Sequence, residues 1–340
     1  RSRPDMVRVA LDGMGGDHAP RTIVQGAVLA ARESDIEIVL VGNEALLRKE
    51  LSQVGPVPPS VSVHHAPEVI GMNEAAAKSI RKKPDSSIMI AVELVKEKKA
   101  DAVISAGHTG AAVVASTLTL GLLPGITRAG IAIAYPTLNG ISVLIDIGAN
   151  IDARPEHLLQ YAIMGSTFAH VILHKDSPKV GLLNIGEEES KGPDFTKETR
   201  RLILESPLNF VGNIEGRDLF TGKVDVVVCD GFVGNIVLKV TESLFESTNV
   251  LLRRELKGGF LPRIGGLLVR SRLSKFKKRL DYTEFGGAPL LGVNGICIIC
   301  HGRSSAKAIK NAIRAAGEFV RFQVNEQIQT LLSAHPQGEQ

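Results

Sequence analysis

The chain has 340 residues, 44% of them hydrophobic, enough to bury a large core, and its three cysteines, Cys229, Cys297 and Cys300, are too few for a disulfide framework. Its formal charge of +4 is unevenly placed, because residues 253–279 hold ten Lys or Arg and one Glu and leave the rest of the chain net acidic. With no Trp and three Tyr there is no aromatic platform interleaved with bases, so nucleic acid is not expected as a partner.

Short Val- and Ile-rich runs recur along the chain, each closing in a glycine-containing turn before a helix-like segment. That alternation predicts an α/β fold with a mostly parallel sheet flanked by helices. Strands are expected at 8–12, 36–41, 61–65, 102–105, 131–135, 142–146, 180–185, 224–229 and 296–300. Several are continuously apolar, as strands buried on both faces are. The first apolar run is too short for a signal helix, and the stretch at 111–126 is broken by polar residues, Gly and Pro where a membrane span needs about 20 apolar residues. The expected location is the cytoplasm. With no internal repeat and no long linker, one domain over 1–340 is predicted, with an inserted helical arm at 235–280 interrupted by Gly258, Gly259, Pro262, Gly265 and Gly266.

Ligands of an open parallel sheet sit beyond the carboxyl ends of its strands, so the strand exits are where chemistry is expected. After the first strand come Gly15, Gly16, Asp17 and His18 ahead of Pro20. The glycines let N–H groups turn toward an anion, and the following helix adds partial positive charge; a plain tight turn is the alternative. The spacing fails G-x-G-x-x-G, and no P-loop motif occurs. The exit at 105–111 carries His108 and Thr109, read either as an imidazole and hydroxyl at the sheet edge or as a capping Thr109 with an incidental His. Asn150 follows the strand at 142–146. Lys191, beside Gly192 and close to Glu187, Glu188 and Glu189, is either an anion ligand or part of a solvated loop. Asp230, Gly231, Asn235 and Lys239 leave the strand at 224–229, where Asp230 alternatively only caps a helix. His301, Arg303 and Ser304 open the last helix and are expected to face the same mouth. Cys297 and Cys300 fall on opposite faces of one strand, with no second pair, and are core residues. Neither a G-x-S-x-G elbow nor an H-E-x-x-H helix is present, so no metal site or covalent nucleophile is predicted.

Seven segments taken in order carry a resemblance: DGMGGDHAP at 12–20, RKKPDSS at 81–87, SAGHTGA at 105–111, DIGAN at 146–150, NIGEEESKG at 184–192, CDGFVGNIVLK at 229–239 and GGAPLLGVNGICIICHG at 286–302. Together they closely resemble the phosphate acyltransferases of phospholipid synthesis, within the isopropylmalate-dehydrogenase-like and phosphotransacetylase-like group of folds. The chain departs from that pattern at His108, where Asn is usual, at Gly13, where Ala is usual, and around Asn73-Glu74-Ala75. The resemblance implies transfer of a fatty acyl group from acyl carrier protein to orthophosphate, with no cofactor, metal or covalent intermediate. It further implies a homodimer and a product passed to a membrane glycerol-3-phosphate acyltransferase. Two rival readings are an acyl-CoA phosphotransacylase and a non-catalytic membrane scaffold.

On this reading phosphate sits among the exits named above and attacks the thioester carbonyl, Lys191 stabilises the oxyanion, and His18 manages a proton. In the arm, Val269, Leu273 and Phe276 share a helical face surrounded by Arg270, Lys277, Lys278 and further bases. Such a basic amphipathic helix suits peripheral contact with an anionic membrane surface at the inner face of the cell membrane, or with the acidic carrier protein; a dimer-forming helix pair is the alternative.

Overall fold

The computed structural model describes residues 6–280 and 286–333. The strands are β1 (Val7–Asp12), β2 (Ile36–Gly42), β3 (Val61–His65), β4 (Ala102–Ser105), β5 (Gly130–Thr137), β6 (Gly140–Ile145), β7 (Val180–Leu183), β8 (Phe210–Ile214), β9 (Val226–Val228), β10 (Ala288–Leu291) and β11 (Ile296–Ile299). The helices are α1 (Arg21–Glu33), α2 (Glu44–Gln53), α3 (Ala76–Lys82), α4 (Ser87–Lys96), α5 (Thr109–Leu120), α6 (Pro155–Val171), α7 (Asp194–Leu204), α8 (Gly231–Lys257), α9 (Phe260–Leu280), α10 (Ala306–Arg321) and α11 (Val324–Ser333).

All eleven strands join one sheet in the order β3-β2-β1-β4-β11-β10-β5-β6-β9-β7-β8. Seven of its ten strand pairs are parallel, which makes it the mostly parallel sheet expected. The other three pairs lie together in the middle: β10 is antiparallel to both β11 and β5, and β5 is antiparallel to β6. The sheet therefore consists of two parallel halves, β1–β4 with β11 and β6–β9, whose strands run in opposite directions.

The nine expected strands are present, β3 and β4 with the expected ends and the others with shifted ones, and two more, β8 and β10, were not foreseen. Pro289 removes a ladder donor from β10, and Gly212, at φ +100°, breaks the regularity of edge strand β8, so neither reads as a strand. Alternate residues face opposite sides. Val9 and Leu11 enter the layer that includes residues of α1, α6 and α10, while Ala10 joins the layer that includes residues of α4 and α5. Each fully buried Leu or Ile in these layers contributes roughly 1.5–3 kcal/mol relative to exposure.

The arm is a pair of helices. α8 is buried at Gly231 and Gly234 and then leaves the sheet, and α9 returns along it. The break between them falls at Gly258 and Gly259 alone; Pro262, Gly265 and Gly266, expected as interruptions, lie within α9. Pro262 is in the first turn of α9, where no intrahelical N–H bond is lost.

Candidate functional site

Two buried carboxylates organise the strand exits, one in each half of the sheet. At the end of β1, Asp12 accepts the Ser105 hydroxyl at 2.7 Å and the Met14 N–H at 3.2 Å, while Ser105 Oγ accepts the Gly107 N–H at 3.1 Å. Burial pushes the Asp12 carboxyl above its usual range, against the pull of these bonds. Gly15 stands where a Cβ would lie 2.7 Å from the Gly107 nitrogen, so the two loops meet back to back. Asp17 donates its N–H to the Gly302 carbonyl at 2.8 Å, and Gly16, at φ +114°, lies beside that same carbonyl. The exits of β1, β4 and β11 are thereby stitched together.

After β6, Asp146 is a version of the same device built on main-chain donors. Its carboxylate accepts the main-chain N–H groups of Ile131, Gly148, Ala149 and Asn150, at 2.8–3.0 Å. Burial again raises its pKa, opposed by those four donors. The Asn150 side chain donates to the Ala129 carbonyl at 2.5 Å and to the Tyr161 hydroxyl at 2.8 Å, and the Asn150 main-chain carbonyl accepts the Gly231 N–H at 2.9 Å. Asp230 Oδ1 accepts the N–H groups of Phe232 and Val233 and caps α8. Asn150, Asp230 and Gly231 are thus tied into the scaffold.

Between the halves lies a cleft with an empty volume of about 1030 Å³, counted to its open mouth. Thr109 and Gly110 from the first turn of α5, Asn235 and Lys239 from α8, and His301 and Ser304 after β11 line it, against an apolar wall that includes Ile131 and Ile133. Ala308, in the first turn of α10, lines it as well. The starts of α5 and α10 therefore border this cleft, and α8 passes it from its second turn onward. Each of these two helix starts carries about half a positive charge. Lys239 Nζ lies 2.9 Å from Glu242 Oε2, and Glu242 also lines the cleft.

Five of the expected ligands, Thr109, Asn235, Lys239, His301 and Ser304, are thus brought together. His108 is the N-cap of α5: its Nδ1 accepts the Ala111 N–H at 3.2 Å, so the cap is His108 and not Thr109. Its side chain borders a small void that Asp12, Gly15 and Ser105 also line. His18 and Asp17 are exposed ahead of α1, outside the lining of the cleft. Lys191 is exposed too, on the loop after β7, two strands out from β6. Its carbonyl accepts the Asn184 side chain, and neither Lys191 nor His18 lines the cleft. Cys297 and Cys300 are buried, in opposite core layers as expected, and Cys300 also reaches the cleft.

On the arm, Val269 and Arg270 are exposed and Leu273 is half-buried, while the side chains of Phe276, Lys277 and Lys278 lie outside the described residues. Sequence reasoning missed Asp12, Asp146 and Glu242. The signal available for the first two was an aspartate closing a continuously apolar strand, a costly place for a charge unless the protein uses it.

A family model described as "Fatty acid synthesis protein" matches residues 7–327. The phosphate acyltransferase of Citrifermentans bemidjiense is 51% identical over 319 residues, covering 94% of this chain and 91% of that protein. That of Desulforamulus reducens is 51% identical over 317 residues, covering 93% and 94%. Among solved structures, a phosphotransacetylase from Streptococcus pyogenes superposes with a TM-score of 0.61 at 20% identity, covering 94% of each chain. A branched-chain phosphotransacylase from Enterococcus faecalis gives 0.54 at 15% identity, covering 92% of this chain and 99% of that one. At those identities the structural likeness speaks to the fold, whereas the sequence matches speak to the family: the chain belongs to the phosphate acyltransferases, the fatty acid synthesis proteins of the matching model.

Proposed function

We propose that the enzyme moves a fatty acyl group from acyl carrier protein to orthophosphate in the cleft between the two sheet halves, supplying acyl phosphate for phospholipid synthesis. The observation that carries this reading is the meeting of the starts of α5 and α10 at one cleft beside Lys239, an arrangement suited to a multiply charged anion. A phosphate oxygen attacks the thioester carbonyl carbon and forms the new C–O bond. The tetrahedral oxyanion collapses, the C–S bond breaks, and the thiolate takes up a proton. A thiol of pKa about 8.5 leaves readily, so strong acid assistance is dispensable. N–H groups at the helix starts and a cation stabilise the oxyanion.

Two residue sets compete for the polar roles. Lys239 and His301 line the cleft, while Lys191 and His18, favoured by the sequence motifs, stand on exposed loops outside its lining. Steady-state kinetics of the four alanine variants decide between them. Loss of one oxyanion donor is expected to cost about 100-fold in kcat, in Lys239→Ala or in Lys191→Ala; near-wild-type turnover in all four would remove the cleft from the mechanism. Phosphate-dependent thiol release from acyl carrier protein but not from coenzyme A separates this reading from an acyl-CoA phosphotransacylase. Formation of acyl phosphate excludes a purely structural role.

The same reading makes the enzyme a cytoplasmic homodimer that hands its product to a membrane glycerol-3-phosphate acyltransferase. No helix among the described residues is long and apolar enough to cross a membrane. The arm supports peripheral attachment to an anionic membrane: Leu268 is 80% exposed, with Leu267 and Val269 beside it and Arg270 and Arg272 following. Flotation with anionic vesicles checks this, and a Leu268→Asp variant that floats like the parent would reject the apolar part of the contact.

A further inference from the structure

α8 is held against the sheet by the absence of side chains at its start. A Cβ on Gly234 would lie 1.9 Å from the Asp146 carbonyl oxygen, and one on Gly231 would lie 2.5 Å from that of Asn150. Beyond this first turn the helix diverges from the sheet. Under it, between α8 and the β5–β6 hairpin, is a narrow groove. Tyr135 and Leu144 on the strands, Phe220, and Val237 and Phe245 on the helix give it hydrocarbon walls. The Tyr135 hydroxyl does not make it polar, since it donates to the Leu219 carbonyl at 2.8 Å. Phe220 packs edge to face against Tyr135, at 5.6 Å between ring centroids, and against Phe245, at 6.3 Å.

This groove adjoins the cleft. Ile133, Leu238 and Glu242 line both, so the two share a wall on the α8 side that is apolar at Ile133 and Leu238. A carbonyl carbon placed among the helix starts would have its alkyl chain leave along that side. The phosphate end of the substrate needs N–H groups and charge; the other end needs a surface that gains by losing water. The two lining sets meet both requirements next to each other.

We infer that the groove under α8 is the acyl-chain subsite, holding the methylenes of the thioester donor and of the acyl phosphate product, with the Tyr135–Phe220–Phe245 cluster limiting chain length. This rests on the proposed acyl transfer and adds where the chain lies and which residues measure it. Each methylene the groove holds strengthens binding about fourfold. Selectivity for long chains is therefore written in the gap between α8 and the sheet.

The test compares kcat/KM for palmitoyl and butyryl donors on acyl carrier protein in the full chain. Thr241, on the helix side of the groove, is replaced by Trp to fill it, and Phe245 by Ala to extend it. Thr241→Trp is expected to lower the palmitoyl-to-butyryl ratio by about tenfold or more, the loss of roughly two methylenes' worth of burial. Phe245→Ala is expected to shift the preference from palmitoyl toward stearoyl, which keeps the test alive if the Trp variant fails to fold. A length profile unchanged in both variants while the wild type makes acyl phosphate overturns the subsite alone. A wild type that makes no acyl phosphate from any of these donors overturns the parent reading.

Discussion

Asp12 and Asp146 occupy corresponding places in the two halves of the sheet, each a buried carboxylate just past an apolar strand, yet they are used differently. Asp146 gathers four main-chain N–H groups and fixes the 147–150 turn, which in turn holds the start of α8. Asp12 is held by two main-chain N–H groups, Met14 and Gly15, and two hydroxyls, Ser105 and Ser87, and a small void lies beside it. The difference teaches that one wall of the cleft is clamped by a single side chain. The other is held by loops leaning on one another, with glycines at the closest approaches.

The comparison breaks if the two aspartates prove equivalent. Asp146→Ala leaves four N–H donors without their acceptor and is expected to destabilise by about 4 kcal/mol, after part of the cost of burying a charge is recovered. Asp12→Ala leaves two main-chain donors and two hydroxyls, which can rotate to other acceptors, and is expected to cost less, about 2 kcal/mol. Denaturant midpoints of the two variants give the order, and an inverted order would show that the first half carries the clamp.

A smaller effect sharpens the contrast, because the clamped half also contains a pH-sensitive cap. His157, buried on α6, accepts the Arg154 N–H on Nδ1 at 2.9 Å. Burial, with Arg128 nearby, lowers its pKa below the usual 6.5. The unfolded chain therefore binds this proton first as pH falls. Stability from the neutral imidazole is intact above about pH 6.5 and is lost as pH drops toward the lowered folded value. Tm is expected to decline across that window, with a shallower slope in His157→Gln, whose amide oxygen still accepts; identical slopes would remove His157 from the account.

Much of the fold was legible in the sequence. Val- and Ile-rich runs located nine strands, several of them continuously apolar because a strand buried on both faces needs no polar positions. The reversal of direction between the halves was not read, since a strand carries no mark of its sense within a sheet. The mark lay in the connection: Asn139-Gly140 at the β5–β6 turn is the dipeptide of a tight hairpin, and reading it would have turned β6 to β9 around. For the site, glycine-bracketed exits gave the neighbourhood, and five of the named side chains do line one cleft. Lys191 illustrates the limit. Its motif placed it at a strand exit, but how far that exit lies from the cleft depends on strand order, which motifs do not encode.

One helix joins the chemistry to the surface. α8 runs for 27 residues, roughly 40 Å at 1.5 Å per residue, with Asn235 and Lys239 near its beginning and the basic arm at its far end. Lipid or protein bound at the tip and an anion bound at the base would grip opposite ends of the same rod, so tilting it for one changes the reach of Lys239 for the other.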